Sequence, residues 1–152
     1  MNLSGIGSSL GSRLIGTWRL VSREDRDADG QARPDPALGS DPLGLLIYDT
    51  AGNFAAQFMR RERGEEAGPA PAGGSNNTSA VNGYDAYFGT YTVDEEEGTV
   101  TQRLSAALSP ANVGMVVTRE VTVTGDTLVI ELSTTRADGE PITRTLRWTR
   151  GA

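Results

Sequence analysis

With 152 residues the chain has room for one domain of ordinary size, and its composition narrows what that domain can do. It has no His and no Cys, and each of its 14 basic residues is Arg, so Lys is missing as well. These absences exclude zinc sites of nitrogen and sulfur ligands, haem held by His or Cys, Ser-His-Asp and Cys-His nucleophile pairs, internal Schiff bases and the phosphate-loop lysine. The formal charge of −6 argues against a nucleic-acid partner, because affinity for a polyanion comes largely from basic side chains at phosphates. Residues 1–13 lack the basic start and apolar run of a secretory signal, and no 18-residue apolar stretch exists. The expectation is a cytoplasmic protein with no membrane partner.

Along the chain, apolar and polar residues alternate in short runs bounded by turn signals, which marks half-buried strands rather than helices. Residues 1–13 read as a flexible tail, and a barrel domain is expected over 14–150. The first strand falls at 14–24, followed by an Asp29-Gly30 turn and the Pro-broken stretch Arg33-Pro34-Asp35-Pro36. Runs 43–49 and 53–60 read as a hairpin across a short turn. The segment 61–81 is rich in Gly, Pro, Ala and Ser and has almost no large apolar residue; it reads as a long loop, either a lid or a tolerated insertion. Residues 84–88 are expected as a short helical turn. Strands at 87–94 and 99–106 flank the acidic turn Glu95-Glu96-Glu97-Gly98, strands at 115–124 and 127–133 flank Gly125-Asp126, and a strand at 142–150 closes the chain. Eight strands joined mostly by short turns favour an all-β, antiparallel up-and-down barrel, whose interior holds packed side chains or one small ligand.

Alternation also assigns faces. Val100, Leu104 and Ala106 share an apolar face with Gln102, and Met115, Val117, Val121 and Val123 share one with Arg119. Gln102 and Arg119 are therefore expected inside. Leu128, Ile130 and Leu132 form a purely apolar stripe. The strand 53–60 is ambiguous, since Phe54/Ala56/Phe58 and Ala55/Gln57/Met59 are both plausible inner faces, and Tyr48 and Tyr91 lie on similarly mixed strands. An inward Arg needs a partner, since burying an unpaired charge is costly. That partner is either an interior carboxylate or tyrosine, or the anionic or carbonyl oxygen of a ligand, which five donors in a rigid fork suit well. No two acidic residues fall on inferred inner faces, so a glycosidase-like carboxylate pair finds no support. The runs Glu65-Glu66 and Glu95-Glu96-Glu97 lack the spacing of a calcium loop, and no metal site is expected.

The opening Gly16-Thr17-Trp18 resembles the Gly-x-Trp at the start of the first strand in lipocalins and their relatives. Further along come Pro42-Leu43-Gly44-Leu45-Leu46-Ile47-Tyr48, Ala56-Gln57-Phe58-Met59-Arg60, Tyr87-Phe88-Gly89-Thr90-Tyr91-Thr92-Val93-Asp94, Gly98-Thr99-Val100-Thr101, Gly114 and Arg119. This ordered set, spanning roughly 14–150, is similar to the bacterial lipocalin-like domain family, calycin-type single barrels. The resemblance implies that Trp18 and Arg150 close one end of the barrel and that the lumen is a calyx for a small hydrophobic molecule. It also implies a second possibility, since some such barrels fold polyene or polyketide intermediates of secondary metabolism and assist their cyclisation or isomerisation. Relatives commonly carry His after the Gly-Thr-Val-Thr run; here Gln102 and Arg103 stand there, so a His-based acid/base or haem role does not carry over.

Three functions compete on these grounds. One is binding of a small hydrophobic ligand, with Tyr48, Gln57, Met59, Tyr91, Gln102 and Arg119 as candidate contacts and no cofactor. Another is a cofactor-free cyclase or isomerase that shapes its substrate and polarises a carbonyl with the same donors. The blandest is a filled barrel that works through its surface. The ligand and the oligomeric state are not legible.

Overall fold

The computed structural model describes residues 9–62, 80–136 and 138–151. Residues 1–8 of the expected tail and most of the 61–81 segment, with its choice between lid and insertion, lie outside the described residues. The chain forms β1 (Gly16–Arg26), β2 (Leu43–Tyr48), β3 (Asn53–Met59), β4 (Tyr84–Asp94), β5 (Thr99–Ala107), β6 (Val116–Thr124), β7 (Thr127–Thr135) and β8 (Pro141–Arg150). Each strand pairs antiparallel with its sequence neighbours, and β8 returns to pair with β1, so the sheet closes into an eight-stranded barrel with no free edge. Inward residues of all strands join one core, with Trp18, Leu14, Val100, Leu104 and Leu128 fully enclosed.

One end is plugged. Residues 10–13, expected as tail, and Leu14, expected to open the first strand, form a short helix α1 (Leu10–Leu14), capped by Ser9 Oγ accepting from the Ser12 amide at 3.1 Å. Leu10 and Leu14, four residues apart, share the buried face of this turn, and burying them offsets the cost of nucleating so short a helix. Glu95 accepts from the Leu10 and Gly11 amides at 2.8 and 3.0 Å, tying the acidic turn to the plug. Trp18 donates from its indole to Leu14 O at 2.9 Å, and the Arg150 guanidinium lies 4.2 Å from the Trp18 ring while donating to Ile15 O and Arg13 O, each at 2.7 Å. Gly16 has φ +140°, and a Cβ there would meet Arg150 Nη1 at 2.6 Å, so the glycine before the tryptophan is what lets the arginine in. The longer connections gather at the opposite, loop end, where the 27–42 connection buries Leu38.

Two sequence expectations change here, and a bulge that alternation does not show is added. Residues 84–88 are strand, not a helical turn: Tyr84 through Thr90 pair with β3, and that ladder satisfies backbone groups an isolated turn would leave open. On β5 a register shift lies opposite Phe88 and Gly89, so Ser105 is the extra residue and Ala106 moves to the outer face while Ala107 faces in. Gly89 permits this close approach, since a Cβ there would lie 1.8 Å from Arg103 O. A second bulge sits between Leu20 and Ser22, exposing Val21 and turning Arg23 and Asp25 inward.

Candidate functional site

The inner wall is apolar on most strands, and its polar groups fall in two layers. The middle layer holds Tyr48, at the end of β2, and Gln102, in the middle of β5, both buried, with the Gln102 amide donating to Tyr48 Oη at 2.6 Å. Burial pushes the Tyr48 phenol well above its ordinary pKa, outweighing the opposing bond from Gln102. Tyr48 is thus a neutral donor at any physiological pH and cannot serve as a base. Arg119 projects inward from β6 between Val117 and Val121, with Nη1 3.4 Å from Thr118 O. Burial lowers its pKa, nearby Tyr87 opposes that, Arg144 adds to it and Tyr48 opposes again; the group remains a cation at neutral pH. Those influences place Arg119 in the same field as Tyr48 and Tyr87.

The second layer lies toward the loop end. Arg144 Nε and Nη2 donate to the two oxygens of Asp25 at 2.8 and 2.9 Å, a bidentate pair between β8 and β1 that is almost wholly buried. Arg23 Nη1 reaches Asp35 of the 27–42 connection at 2.9 Å, and Arg144 Nη2 stands 3.6 Å from the same carboxylate. Burial alone would push the Asp35 carboxyl up, but Arg23 and Arg144 more than offset it and hold it below its ordinary value. Burial likewise lowers the Arg23 pKa, whereas Asp25 and Asp35 raise that of Arg144 against the same effect. Asp85 is also buried, near the start of β4. Among the described residues no three His, Cys, Asp or Glu gather to hold a metal ion, and no helix is long and apolar enough to cross a membrane.

The six residues singled out from sequence are only partly brought together. Tyr48, Gln102 and Arg119 line the inner wall. Tyr91 faces in, its ring edge-on to Tyr48 at 4.7 Å, but its hydroxyl donates to Asp49 O at 2.7 Å and so is committed to the β2–β3 turn. Gln57 and Met59 are on the outer face, because β3 turns Phe54, Ala56 and Phe58 inward; Gln57 is exposed and accepts from the Tyr84 hydroxyl. The expectation that no two carboxylates face inward is corrected by Asp25 and Asp85, and Arg119 shares the interior with Arg23 and Arg144. Arg144 was open to the alternation of Ile142, Arg144, Leu146 and Trp148, whereas the bulge at Val21 hid Arg23 and Asp25 by reversing the phase of β1. Trp148 is buried with no hydrogen-bond acceptor for its indole N–H among the described residues; the Phe58 ring stands edge-to-face to it at 5.7 Å.

A closed eight-stranded meander, plugged at one end by a helix and a Trp–Arg stack and carrying polar groups on a greasy inner wall, defines the class of single-barrel calyx proteins. Within that class the chain belongs to the lipocalin-like domain family, whose model matches residues 15–151. No curated protein matches the chain. Among solved structures it is similar to bovine odorant binding protein in complex with a selenium-containing odorant, at 13% identity and a TM-score of 0.48, with 95% of this chain and 74% of that one covered.

Proposed function

We propose that the lumen holds one small, mostly apolar molecule whose oxygen-bearing end is received by Arg119, with the Tyr48–Gln102 pair beside it. The observation that carries this reading is a buried guanidinium in mid-barrel, between Val117 and Val121, in the field of Tyr48 and Tyr87 and on an inner wall that is apolar on most strands. Eight strands are also the size at which a barrel can enclose one small ligand. A carboxylate or a polarised carbonyl fits best, because the guanidinium offers paired donors and the Tyr48 phenol stays protonated. Titration of intrinsic tryptophan fluorescence tests this: Trp148 reports the interior, and Trp18, fixed beneath Arg150, serves as a quieter reference. Saturable binding is expected for fatty or aromatic carboxylates, and Arg119→Met should weaken it roughly tenfold to a hundredfold, while the corresponding hydrocarbons change little. No saturable binding across fatty acids, polyketides and aromatics would defeat the proposal.

The same arrangement supports a second reading, a cofactor-free cyclase or isomerase acting on a polyketide or polyene intermediate. What favours it is the placement of a permanently neutral phenol and a guanidinium in one field, two donors able to polarise a carbonyl without a base. Incubation of the protein with the late intermediate of a neighbouring biosynthetic gene cluster should change the product ratio, and an unchanged ratio rejects this role.

A further inference from the structure

We propose that the outer face of β2–β5 is a self-association surface on which a second copy of this chain packs about a two-fold axis, independent of what the lumen holds. Three cross-strand rows make up this face. Ile47, Ala55, Phe88 and Ala106 stand side by side in register, next to Leu45, Gln57 and Ala86, and then Leu43, Met59 and Tyr84. Leu108, whose amide donates to Ala86 O at 2.8 Å, extends the middle row. Phe88 is 57% exposed, Leu108 47% and Leu43 43%. Within the patch the Tyr84 hydroxyl donates to Gln57. No charged side chain stands in the three rows.

Size and charge select the occupant. Four strands about 4.8 Å apart and three same-face rows about 7 Å apart span, with their side chains, roughly 400 Å². With Leu108 added, the apolar area comes close to the apolar share of one side of a standard interface of about 800 Å². The two ends of this wall differ in charge. Asp49, Asp94, Glu96 and Glu97 crowd the turns at the plugged end, whereas at the loop end Arg60 and Arg61 follow β3 beside Asp41 and Glu62, which leaves that end near neutral. None of those four acids, nor Arg60, has an ion-pair partner among the described residues, while Arg61 pairs with the exposed Asp41. An axis lying in the interface and running across the strands sets the Phe88 row of one copy on the Leu43 row of the other. It also sets each acidic end over the partner's Arg60 and Arg61 and away from the partner's own acidic end, so the like charges are kept apart.

Sedimentation equilibrium and light scattering on the full chain at micromolar concentrations test the assignment. A reversible dimer is expected. Phe88→Glu should weaken it about a thousandfold, since each dimer loses the aromatic anchor twice, with an unchanged circular dichroism spectrum. Thr122→Glu, on the opposite wall, should leave the dimer intact. A wild-type monomer at every concentration overturns the proposal, and Phe88-dependent binding of that monomer to phosphatidylcholine vesicles would identify a lipid surface as the occupant instead. A dimer that Phe88→Glu leaves untouched, or that Thr122→Glu disrupts equally, also overturns it.

Discussion

Four strands build each half of the barrel wall, and from inside each half is apolar over most of its length: Phe54, Ala56, Phe58 and Leu104 on one, Val121, Ile130, Leu146 and Trp148 on the other. From outside they differ. The face of β6–β8 and β1 presents mostly Thr, Glu and Arg, with Val21, Val116 and Val129 set singly among them, whereas that of β2–β5 gathers Leu43, Leu45, Ile47, Ala55, Met59, Ala86 and Phe88 in adjoining rows, beside Gln57, Tyr84, Thr90 and Arg103. A barrel needs only its inner face apolar, so the first half is written economically and the second carries a surplus. Surplus apolar area outside a closed barrel adds little to the fold and points to an encounter with something else.

The sharpest way to break this contrast is to truncate one aromatic on each face of the apolar half. Phe58→Ala, which empties a core position packed on Trp148 and Tyr87, should cost about 3–5 kcal/mol in urea denaturation, whereas Phe88→Ala should stay within about 0.5 kcal/mol for the monomer. Comparable losses at both positions would mean that the faces of β3 and β4 are wrongly assigned. On the other half the interior is ionic as well as apolar, and Asp25→Ala leaves the Arg144 guanidinium buried without its bidentate partner. A loss of about 3 kcal/mol or more is expected there. A change below 1 kcal/mol would show that the pair is hydrated and not part of the sealed interior.

Smaller and pH-dependent is the contribution of Asp35. Its carboxyl is held below the ordinary value by Arg23 and Arg144 against the effect of burial. The sign follows from linkage: stability from Asp35 is fully present above its unfolded pKa of about 3.9 and is lost as pH falls through the lower folded value. Asp27 and Asp49 act in the same direction, each held down first by a turn amide, from Gln31 and Asn53. Asp35→Asn should therefore remove up to about one proton, or about 1.4 kcal/mol per pH unit, from the acid limb and leave the rest. An acid limb identical to wild type would place Asp35 in water, away from the arginines.

The same contrast explains what could be read from sequence. Clean alternation on β6 and β7 placed Arg119 and the Leu128–Ile130–Leu132 stripe correctly, because the outward residues there are Thr, Glu and Ser apart from Val116 and Val129. On β3 both faces are apolar enough to serve, and Gln57 and Met59 entered the candidate site for that reason. The ionic layer escaped because a bulge is a one-residue change of phase: after Val21 the residues that look outward are Arg23 and Asp25, and they face in. Ala106 moved out by the same device at Ser105. Tyr87 was placed on a strand but given no face, and its position beside Arg119 depends on pairing across the barrel, which no local pattern encodes.

The smallest expected effect decides whether the outer surplus has to be explained at all. Thr122 pairs with Val129 on the outer face of β6 and β7, and Thr122→Val replaces a hydroxyl by a methyl of nearly the same shape. Both residues suit a strand, the position is exposed, and nothing inside the barrel changes, so the stability of the monomer should shift by no more than about 0.5 kcal/mol. That outcome would say that an outward apolar side chain stabilises this barrel very little, leaving the Phe88 row without a structural reason. A gain above 1 kcal/mol would say the reverse: outer apolar pairs would then strengthen the wall by themselves, and β2–β5 would need no second copy to account for its composition.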